Sequence, residues 1–443
     1  MKTEERLEIE GLRGRRFLAG TVKVGGAKNA VLKMMSATIL FADRVKMTNV
    51  PEIEDVRRTA ELLVDLGAEV SFSGDHTCDI DTTNLTKTVI TPEISKKLRA
   101  SIVLTGPLLA RFGRVSFPHP GGCVIGRRPI DLFLAGFEAL GANVTLKNDL
   151  YEIKAKNGQL IGAEIFFKNQ SVTATETFLL AGVLAKGKTV LKNCALEPEI
   201  ISLGEYLKKC GAKISGLGTT TIEIEGGARL HAKGKIYHTI PDRIEAGSFL
   251  ILATLAGKDV TIADCEPKHL TAVIDFLREA GAEIIVGQNF LRVINRKKPK
   301  LIASDLKTHE YPGFPTDLQA PMSVFLTQAV GQSFIFETIF EGRLGHLESL
   351  EQMGAKVKLL DAHRAIINGP NELHSRELFS PDLRAGLAYI IAGLVAKGRT
   401  TVHNVGYIDR GYENIEGKLT ALGAKIKRIH LENETICHFS SEN

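Results

Sequence analysis

The amino-acid sequence predicts an α/β (α+β) fold in two domains, built from six repeated units of helices and strands. Three observations support this prediction: a Gly-Ala marker at near-constant spacing, a second marker within each repeat, and a length of 443 residues. A single hydrophobic core rarely extends beyond roughly 250–300 residues, so a chain of this length divides into domains.

The first marker is a Gly-Ala pair that ends a helical stretch and precedes a polar or charged residue and a β-forming residue. Glycine ends helices because it adopts the left-handed conformation without strain. Successive pairs lie 74, 70, 70, 73 and 69 residues apart, which indicates an internal repeat. The six pairs are Gly67-Ala68, Gly141-Ala142, Gly211-Ala212, Gly281-Ala282, Gly354-Ala355 and Gly423-Ala424.

The second marker is a helix rich in small residues that ends at a turn, where we expect a left-handed glycine, and is followed by a β-branched run typical of a strand. It is clearest at 185–190, 256–260 and 396–401, fits at 111–115 and 329–334, and is degenerate at 42–45. Each unit is therefore predicted as helix, strand, connection, helix, strand. The first helix of a unit is apolar on all sides, which predicts that it lies inside the unit.

Six units divide most simply into three and three. The crossover between domains is expected between Gly226-Gly227 and Pro241. Residues 7–24 read as a pair of strands ahead of the first unit, and we expect them to complete the second domain, because chain termini often lie close together. The predicted domains are residues 26–240, and residues 1–25 together with 241–443, with the active site in the cleft between them.

Composition is that of a soluble globular protein, with 44% hydrophobic and 24% charged residues, and we expect a cytoplasmic location from the cysteines described below. No apolar run reaches the roughly 18 residues that span a bilayer, and the N-terminus lacks the apolar core of a signal peptide. Six cysteines lie far apart without metal-binding spacing, which favours a reducing compartment and no metal site. A net charge of +5 gives no argument for nucleic acid, and it suits a cleft for small anions.

A glycine-rich segment with one cysteine, residues 120–132, interrupts the second unit. Its glycines and prolines predict a loop with special backbone angles. A surface turn with an incidental thiol is one interpretation. Arg127 and Arg128 favour another, because adjacent cations lower the pKa of a thiol and attract an anion, which would make Cys123 reactive.

Two further segments suit anion binding or acid–base chemistry. Residues 25–30 lead into a helix with Lys28 at its start, where backbone amides and an ammonium can hold phosphate or carboxylate, although an ordinary turn fits equally well. Residues 311–320 form a proline-stiffened loop that delivers Asp317 to a helix start. Asp317 can cap that helix, or it can act as a general base.

Arginines in both halves of the chain form a candidate anion-binding set: Arg99, Arg384 and Arg410. The arginine fork matches carboxylate and phosphate geometry in a way that lysine does not. The segments Asp382-Leu383-Arg384 and Asp409-Arg410 also allow the simpler interpretation of local ion pairs.

Taken together, these segments resemble the UDP-N-acetylglucosamine 1-carboxyvinyltransferases, a family of enolpyruvyl transferases, from end to end. The combination of the cysteine loop with Phe-Pro-Thr-Asp is the most specific part. The resemblance implies an inside-out α/β barrel in each of two domains, with three βαβαββ units per domain. The motifs that carry it are Gly-Ala-Lys-Asn-Ala, Leu-Arg-Ala-Ser, Pro-Gly-Gly-Cys-x-Ile-Gly-x-Arg-Pro-x-Asp-Leu, Glu-Pro-Glu-Ile, Pro-Asp-Arg-Ile-Glu-Ala-Gly, Pro-Gly-Phe-Pro-Thr-Asp-Leu-Gln-Ala, Asp-Leu-Arg-Ala and Asp-Arg-Gly-Tyr-Glu.

The resemblance implies the transfer of the enolpyruvyl group of phosphoenolpyruvate to the 3-hydroxyl of UDP-N-acetylglucosamine, with release of phosphate. This is the first committed step of peptidoglycan synthesis. It implies no metal and no organic cofactor, and we expect a monomer that binds neither nucleic acid nor membrane.

The resemblance also assigns roles to residues. Cys123 is implied as the general acid, which also forms an adduct with phosphoenolpyruvate, and Asp317 as the base. Lys28 and Arg410 complete the catalytic set. The implied substrate-binding residues are Lys28, Asn29, Arg99, Arg128, Pro129, Ile130, Asp131, Leu132, Ser171, Val172, Asp317, Ile339, Arg384 and Arg410.

Three departures from the family pattern concern the pocket and the loop: Thr173 in place of a glycine, Arg127 in place of a small residue, and Pro118-His119 ahead of Pro120. The alternatives are an enolpyruvyl transferase acting on shikimate 3-phosphate and a non-catalytic paralogue that binds the nucleotide sugar. An RNA-terminal phosphate cyclase, a more distant relative in fold, lacks a basic stripe to support it.

Overall fold

A computed structural model describes residues 4–95, 98–119, 121, 129–295 and 300–431 of the chain. Strands in this part of the chain are short and numerous, as the repeats predict. They are β1 (Glu4–Glu10), β2 (Leu18–Lys23), β3 (Val45–Thr48), β4 (Glu69–Ser73), β5 (Thr77–Asp81), β6 (Arg114–Pro118), β7 (Ala142–Lys147), β8 (Leu150–Ala155), β9 (Glu164–Phe166), β10 (Lys188–Lys192), β11 (Lys213–Ser215), β12 (Thr221–Glu225), β13 (Ile236–His238), β14 (Gly257–Ala263), β15 (Ile284–Val286), β16 (Phe290–Ile294), β17 (Leu306–Lys307), β18 (Gly331–Phe336), β19 (Lys356–Leu359), β20 (Arg364–Gly369), β21 (Glu377–Phe379), β22 (Arg399–His403) and β23 (Ile426–Leu431).

Helices alternate with these strands along the chain. They are α1 (Lys28–Ala37), α2 (Glu54–Leu66), α3 (Pro92–Ser95), α4 (Thr105–Phe112), α5 (Asp131–Ala139), α6 (Val172–Gly182), α7 (Pro198–Lys209), α8 (Arg243–Ala256), α9 (Thr271–Glu279), α10 (Gln319–Gln328), α11 (His346–Gln352), α12 (Leu383–Val395) and α13 (Ile415–Ala421). Short 3-10 helices occur between them; those relevant to the site are Arg99–Leu104, Thr316–Leu318, Arg343–Gly345 and Val405–Arg410.

The described strands form six sheets with one shared topology. In each sheet, the strand at one edge runs parallel to its neighbour, and that neighbour follows a buried helix in the chain. The next two strands of the sheet are each antiparallel to the strand before them. In the second sheet an isolated bridge between Val89 and Ser116 takes the place of that edge strand. The orders are β13-β3-β5-β4, β6-β8-β7, β9-β10-β12-β11, β2-β14-β16-β15, β17-β18-β20-β19 and β21-β22-β1-β23. This recurrence confirms the predicted α/β fold of repeated units.

Three sheets are completed by strands from distant parts of the chain. The N-terminal strand β1 lies between β22 and β23, antiparallel to both, and β2 lies parallel to β14. The two N-terminal strands that the sequence predicts therefore do not pair with each other. Strand β13, from the predicted crossover segment, runs parallel to β3 and so completes the first sheet.

Each unit contains one buried helix and one amphipathic helix. The buried helices are α1, α4, α6, α8, α10 and α12, and every residue of α12 is buried. Helices α8, α10 and α12 pack against one another, and α4 packs against α6. Helix α2 is amphipathic: its buried residues Val56, Ala60 and Leu63 follow helical spacing, so one face packs inwards.

The glycines of the six Gly-Ala pairs all have a positive φ, from 84° at Gly141 to 114° at Gly211, which confirms that they stop the amphipathic helices. Glycines 113, 187, 331 and 398 of the second marker also have a positive φ. Gly257 does not, and the prediction of a left-handed stop there was wrong. Its φ is −75° and β14 begins at once. Glycine is needed because a Cβ would lie 2.5 Å from the carbonyl oxygen of Ala253.

Buried hydrophobic residues fall into two clusters. One runs from Val31 to Tyr237, and the other joins residues 7–24 to residues 244–424. Each cluster contains three buried helices. The predicted domain boundaries, 26–240 and 1–25 with 241–443, stay a prediction, which this division of the core supports.

Candidate active site

A cavity of about 490 Å³ lies between the two hydrophobic clusters and is lined by residues from both halves of the chain. Ten of the sequence-predicted site residues line it: Lys28, Asn29, Arg99, Pro129, Ser171, Val172, Asp317, Ile339, Arg384 and Arg410. The structure therefore brings together residues that lie up to 382 positions apart in the sequence.

Some predicted residues lie elsewhere. Cys123 and Arg128 fall outside the described residues, as does Arg127. Ile130 is buried in the first hydrophobic cluster, Leu132 packs partly against it, and Asp131 is exposed at the first turn of α5. These three are not among the residues that line the cavity, and their contact with a nucleotide stays a prediction.

Lys28 and Arg410 meet at one carboxylate, Asp55, at the start of α2. Asp55 Oδ2 lies 2.7 Å from Lys28 Nζ, and Arg410 Nε donates to Asp55 Oδ1 at 2.8 Å. Asp55 is 2% exposed. Burial raises the pKa of this carboxyl, but Lys28 and Arg410 outweigh burial, and the pKa lies below its ordinary value of 3.8. Asp55 is thus ionised and holds the two cations together.

The backbone around Lys28 is fixed by a second acid. Asp242 caps α8, accepting bonds from the backbone of Ile244 and Glu245, and its Oδ2 also accepts the backbone N–H of Lys28 at 3.1 Å. One carboxylate therefore caps one helix and orients the first residue of another across the two halves.

Asp317 lies between two arginines. Arg343 Nη1 donates to Asp317 Oδ1 at 2.7 Å, and Arg384 Nη2 donates to Asp317 Oδ2 at 2.8 Å. Burial raises the pKa of this carboxyl, but Arg384 and Arg343 outweigh burial and hold it well below its usual range. No side-chain cap bond is made at the start of α10. The interpretation of Asp317 as a helix cap was therefore wrong, and its carboxylate is bound to arginines.

Arg384 is itself held in place. Asp382 caps α12 by accepting the backbone N–H groups of Arg384 and Ala385. In addition, Arg384 Nη1 donates to the Tyr412 hydroxyl at 2.9 Å. The simpler interpretation of Asp382 and Arg384 as a local side-chain pair is wrong, because Asp382 binds backbone amides.

The Asp317 loop is bound to the buried Glu337: Thr316 Oγ1 donates to Glu337 Oε2 at 2.8 Å. Glu337 also accepts the backbone N–H of Ile339, so one carboxylate positions two cavity walls.

A buried acidic wall forms another side of the cavity. Glu197 and Glu199 line it, and Arg243 Nε donates to Glu199 Oε1 at 3.0 Å across the two halves. Behind this wall, Glu176 is fully buried and lies 3.0 Å from Lys33 Nζ. Burial raises the pKa of Glu176 to about 7, because desolvation outweighs the attraction of Lys33.

Sequence reasoning missed seven charged residues of this cavity: Lys33, Asp55, Glu197, Glu199, Arg243, Glu310 and Arg343. Glu199 and Arg243 belong to motifs that the sequence analysis quoted, Glu-Pro-Glu-Ile and Pro-Asp-Arg-Ile, but no role was attached to them. Asp55 gave no signal, since an acid in the first turn of a helix is ordinary. Arg343 likewise follows no recognisable motif.

The cysteines in the described residues are free and buried: Cys78, Cys194, Cys210 and Cys265. Burial raises the pKa of Cys78 to about 12 and those of Cys194 and Cys265 to about 11. These thiols are therefore poor nucleophiles. In the part of the chain that the structure describes, no group of three His, Cys, Asp or Glu residues could hold a metal ion.

Within the described ranges, no helix combines the length and the apolar character that crossing a bilayer requires.

Comparisons with known proteins extend over nearly the whole chain. A sequence model of the family described as EPSP synthase (3-phosphoshikimate 1-carboxyvinyltransferase) matches residues 12–419. The UDP-N-acetylglucosamine 1-carboxyvinyltransferase of Desulforapulum autotrophicum is 44% identical over 418 residues, covering 94% of this chain and 99% of the relative. The protein of the same name from Halothermothrix orenii is also 44% identical over 418 residues, with the same coverage of both chains.

Among solved structures, the enolpyruvyl transferase NikO from Streptomyces tendae is similar with a TM-score of 0.86 and 24% identity, covering 97% of this chain and 100% of that one. EPSP synthase from Acinetobacter baumannii is similar with a TM-score of 0.70 and 19% identity, over 97% and 100% of the two chains. At these identities the likeness shows the fold alone, which is the two-domain inside-out α/β fold. From the sequence matches, the chain belongs to the EPSP synthase family, and within that family to the UDP-N-acetylglucosamine 1-carboxyvinyltransferases.

Proposed function

We propose that this protein transfers the enolpyruvyl group of phosphoenolpyruvate to the 3-hydroxyl of UDP-N-acetylglucosamine and releases phosphate, as the first committed step of peptidoglycan synthesis. The names of its near-full-length relatives support this reaction. The observation that carries the proposal structurally is one cavity lined by Lys28, Asp317, Arg384 and Arg410 from both halves of the chain.

The reaction needs cations around a compact anion that carries several negative charges. Phosphoenolpyruvate carries a phosphate and a carboxylate, and Lys28, Arg410 and Arg384 are the residues that we propose to hold them, with Arg128 and Asn29. Arginine and lysine stabilise the charge that develops on these oxygens during the reaction. Asp55 binds Lys28 and Arg410, so the incoming anion must share these cations with it.

We propose that Asp317 takes the proton of the sugar hydroxyl as its oxygen attacks C2 of phosphoenolpyruvate, while Cys123 gives a proton to C3. The tetrahedral ketal that results loses phosphate and the C3 proton, which leaves the enolpyruvyl ether. The low pKa of Asp317 keeps it ionised, but it also makes the carboxylate a weak base. The mechanism therefore requires phosphoenolpyruvate to draw Arg384 or Arg343 away from Asp317, which raises the pKa of the base when the substrate is bound.

The remaining wall of the cavity suits the nucleotide sugar. Arg99, Ser171, Val172 and Ile339 are proposed to contact the uridine and the sugar, together with residues 128–132. Ser171 caps α6, accepting the N–H of Ala174 at 3.2 Å, so its position is fixed by the helix. Thr173, which departs from the family pattern, also lines this wall, and we propose that it narrows the pocket.

We further propose that the protein acts as a cytoplasmic monomer without nucleic acid, membrane or a cofactor. Both halves of the cavity come from one chain, so the site needs no second copy. The free cysteines of the described residues are typical of a reducing compartment.

The test is the release of phosphate from phosphoenolpyruvate with each acceptor in turn. We expect release with UDP-N-acetylglucosamine and none with shikimate 3-phosphate or without acceptor. Activity with shikimate 3-phosphate instead would establish the first alternative. Binding of UDP-N-acetylglucosamine without any phosphate release would establish the non-catalytic paralogue.

A further inference from the structure

Arg410 reaches the cavity from a short helical turn, Val405–Arg410, and the residue before it is anchored on the other side. Asp409 Oδ1 and Oδ2 accept two parallel bonds from Arg428 Nη2 and Nη1, both at 2.8 Å. This planar two-bond contact fixes orientation as well as distance. The turn that carries Arg410 is therefore held by a guanidinium on β23.

Arg428 uses all of its donors in this region. Its Nε and Nη2 donate to the two carboxylate oxygens of Glu416, at 2.6 and 3.1 Å, and its Nη1 also donates to Glu5 Oε2 at 2.7 Å. With Asp409 these bonds occupy all five N–H groups of the guanidinium. We name Arg428 with Glu5, Asp409 and Glu416 the Arg428 cluster. It joins β1, the Arg410 turn, α13 and β23.

The cluster lies outside the cavity. Arg428 is not among the residues that line it, and its side chain is 16% exposed. Its bonds to the three carboxylates raise its pKa further above the ordinary value, with Asp409 as the first cause. Any effect of Arg428 on a bound anion must therefore pass through Asp409 to the adjacent Arg410.

The Arg410 turn is too short to fix its own position, so contacts with neighbouring residues must hold it. It follows Asn404, whose φ of 57° lies in the left-handed region, and it ends after a single 3-10 segment at Gly411. Its contacts with the other half of the protein include the bonds from Arg410 Nε and Nη2 to Asp55 on α2. A short segment of this kind keeps its geometry only when its neighbours determine it.

We propose that Arg428 is a positioning residue for Arg410 and so sets the affinity for phosphoenolpyruvate. The proposal rests on the proposed function, because it assumes that Arg410 holds this substrate. A role in stability alone would lower the melting temperature without selecting between the two substrates. A positioning role weakens phosphoenolpyruvate binding and leaves the nucleotide sugar unaffected.

The test compares Arg428→Gln and Arg428→Lys with Lys427→Gln, an exposed neighbour on the same strand. We expect Arg428→Gln to raise KM for phosphoenolpyruvate roughly tenfold to a hundredfold, since a small displacement of a substrate-holding group has effects of that size. The Kd for UDP-N-acetylglucosamine should stay within about twofold of the wild type. Arg428→Lys, which keeps the charge, should recover part of the loss, and Lys427→Gln should change neither constant.

A double variant distinguishes a positioning role of Arg428 from a general loss of phosphoenolpyruvate binding. In the Arg410→Ala background, Arg428→Gln should add less than about twofold to KM, because coupled residues do not act additively. An additive effect, or a lowered melting temperature with an unchanged KM, would overturn the proposal.

A measurement without substrate distinguishes failure of the positioning role of Arg428 from failure of the proposed function. Amide hydrogen exchange of residues 405–411 should be faster in Arg428→Gln than in Lys427→Gln. Unchanged exchange overturns the positioning role whatever the activity. If the wild type releases no phosphate from phosphoenolpyruvate, the proposed function fails, while the exchange result still decides whether Arg428 holds the turn.

Discussion

Asp55 and Arg410 lie 355 positions apart in the chain, and a hydrogen bond of 2.8 Å joins Asp55 Oδ1 to Arg410 Nε. Asp55 belongs to the first unit and Arg410 to the last. With Lys28 on its other oxygen, Asp55 is a protein carboxylate bound by the two cations that we propose to hold a substrate anion. The site is therefore organised around a negative charge of the protein itself.

Replacing Asp55 tests this arrangement. Asp55→Asn keeps the size of the side chain but removes the buried charge that Lys28 and Arg410 share, so we expect the free energy of unfolding to fall by about 3 kcal/mol. Inorganic phosphate should restore more stability to this variant than to the wild type, because the anion replaces the lost charge. Thermal unfolding with and without phosphate measures both. Glu61→Gln, at an exposed position of the same helix, is the control and should respond as the wild type does.

Asp317→Asn tests the proposed base. The amide cannot accept the hydroxyl proton, so the single-turnover rate should fall by roughly 10²-fold or more. Binding of UDP-N-acetylglucosamine should weaken far less, and the exposed Asp305→Asn should be neutral in both measurements. A normal rate in Asp317→Asn would reduce Asp317 to an anchor for Arg343 and Arg384.

Cys123 should be the cysteine that an epoxide mimic of phosphoenolpyruvate, such as fosfomycin, alkylates. Cys78, Cys194 and Cys265 are buried with raised pKa values, so they present little thiolate near pH 7. Peptide mass mapping after labelling identifies the site, and an adduct on any other cysteine would refute the assignment. Cys123→Asp should resist the reagent and keep some turnover, because a carboxylic acid also donates a proton.

The buried carboxyl of Glu176 should make the folding stability of the protein depend on pH. Its pKa rises from 4.5 to about 7 on folding, so the folded state binds a proton that the unfolded state has lost. Stability is therefore greatest below about pH 4.5 for this group and decreases as the pH rises towards 7. Glu176→Gln should flatten the fall in melting temperature over that window. The exposed Glu164→Gln should keep the wild-type slope, and an unchanged slope in Glu176→Gln would contradict the prediction.

Gly106 tests the close packing of two buried helices. A Cβ at this position of α4 would lie 2.3 Å from the carbonyl oxygen of Thr177 in α6. Gly106→Ala should therefore destabilise the protein by about 1–3 kcal/mol in chemical denaturation. Gly345→Ala is the matched control: a Cβ there meets no atom within 4 Å and φ is −57°, so it should be neutral or slightly stabilising. Equal effects of the two substitutions would show that packing is not the cause.

The repeat was predictable because its signals are local. A left-handed glycine such as Gly211 and a helix without polar faces such as α12 are properties of short segments. The sheets are not local, and neither the separation of β1 from β2 nor the pairing of β13 with β3 could be read from residue patterns. Pairing partners are fixed by the packing of the whole chain.

Site residues could be predicted from the sequence where they lie in segments of unusual local sequence. The proline-rich loop around Asp317 is unusual in sequence, whereas Asp55 and Arg343 occupy positions where charged residues are common. Their roles arise from burial beside partners in distant units, such as the contact of Arg343 with Asp317. Burial of that kind depends on tertiary structure, so no local pattern reports it.

The position of β1 between β22 and β23 has a consequence for synthesis on the ribosome. β1 leaves the ribosome long before its partners β22 and β23, so it stays unpaired while the intervening units emerge and fold. An unpaired strand edge attracts other chains, and charged residues discourage this. β1 reads Glu-Glu-Arg-Leu-Glu-Ile-Glu, and we expect this density of charge to discourage the unpaired strand from associating with other chains.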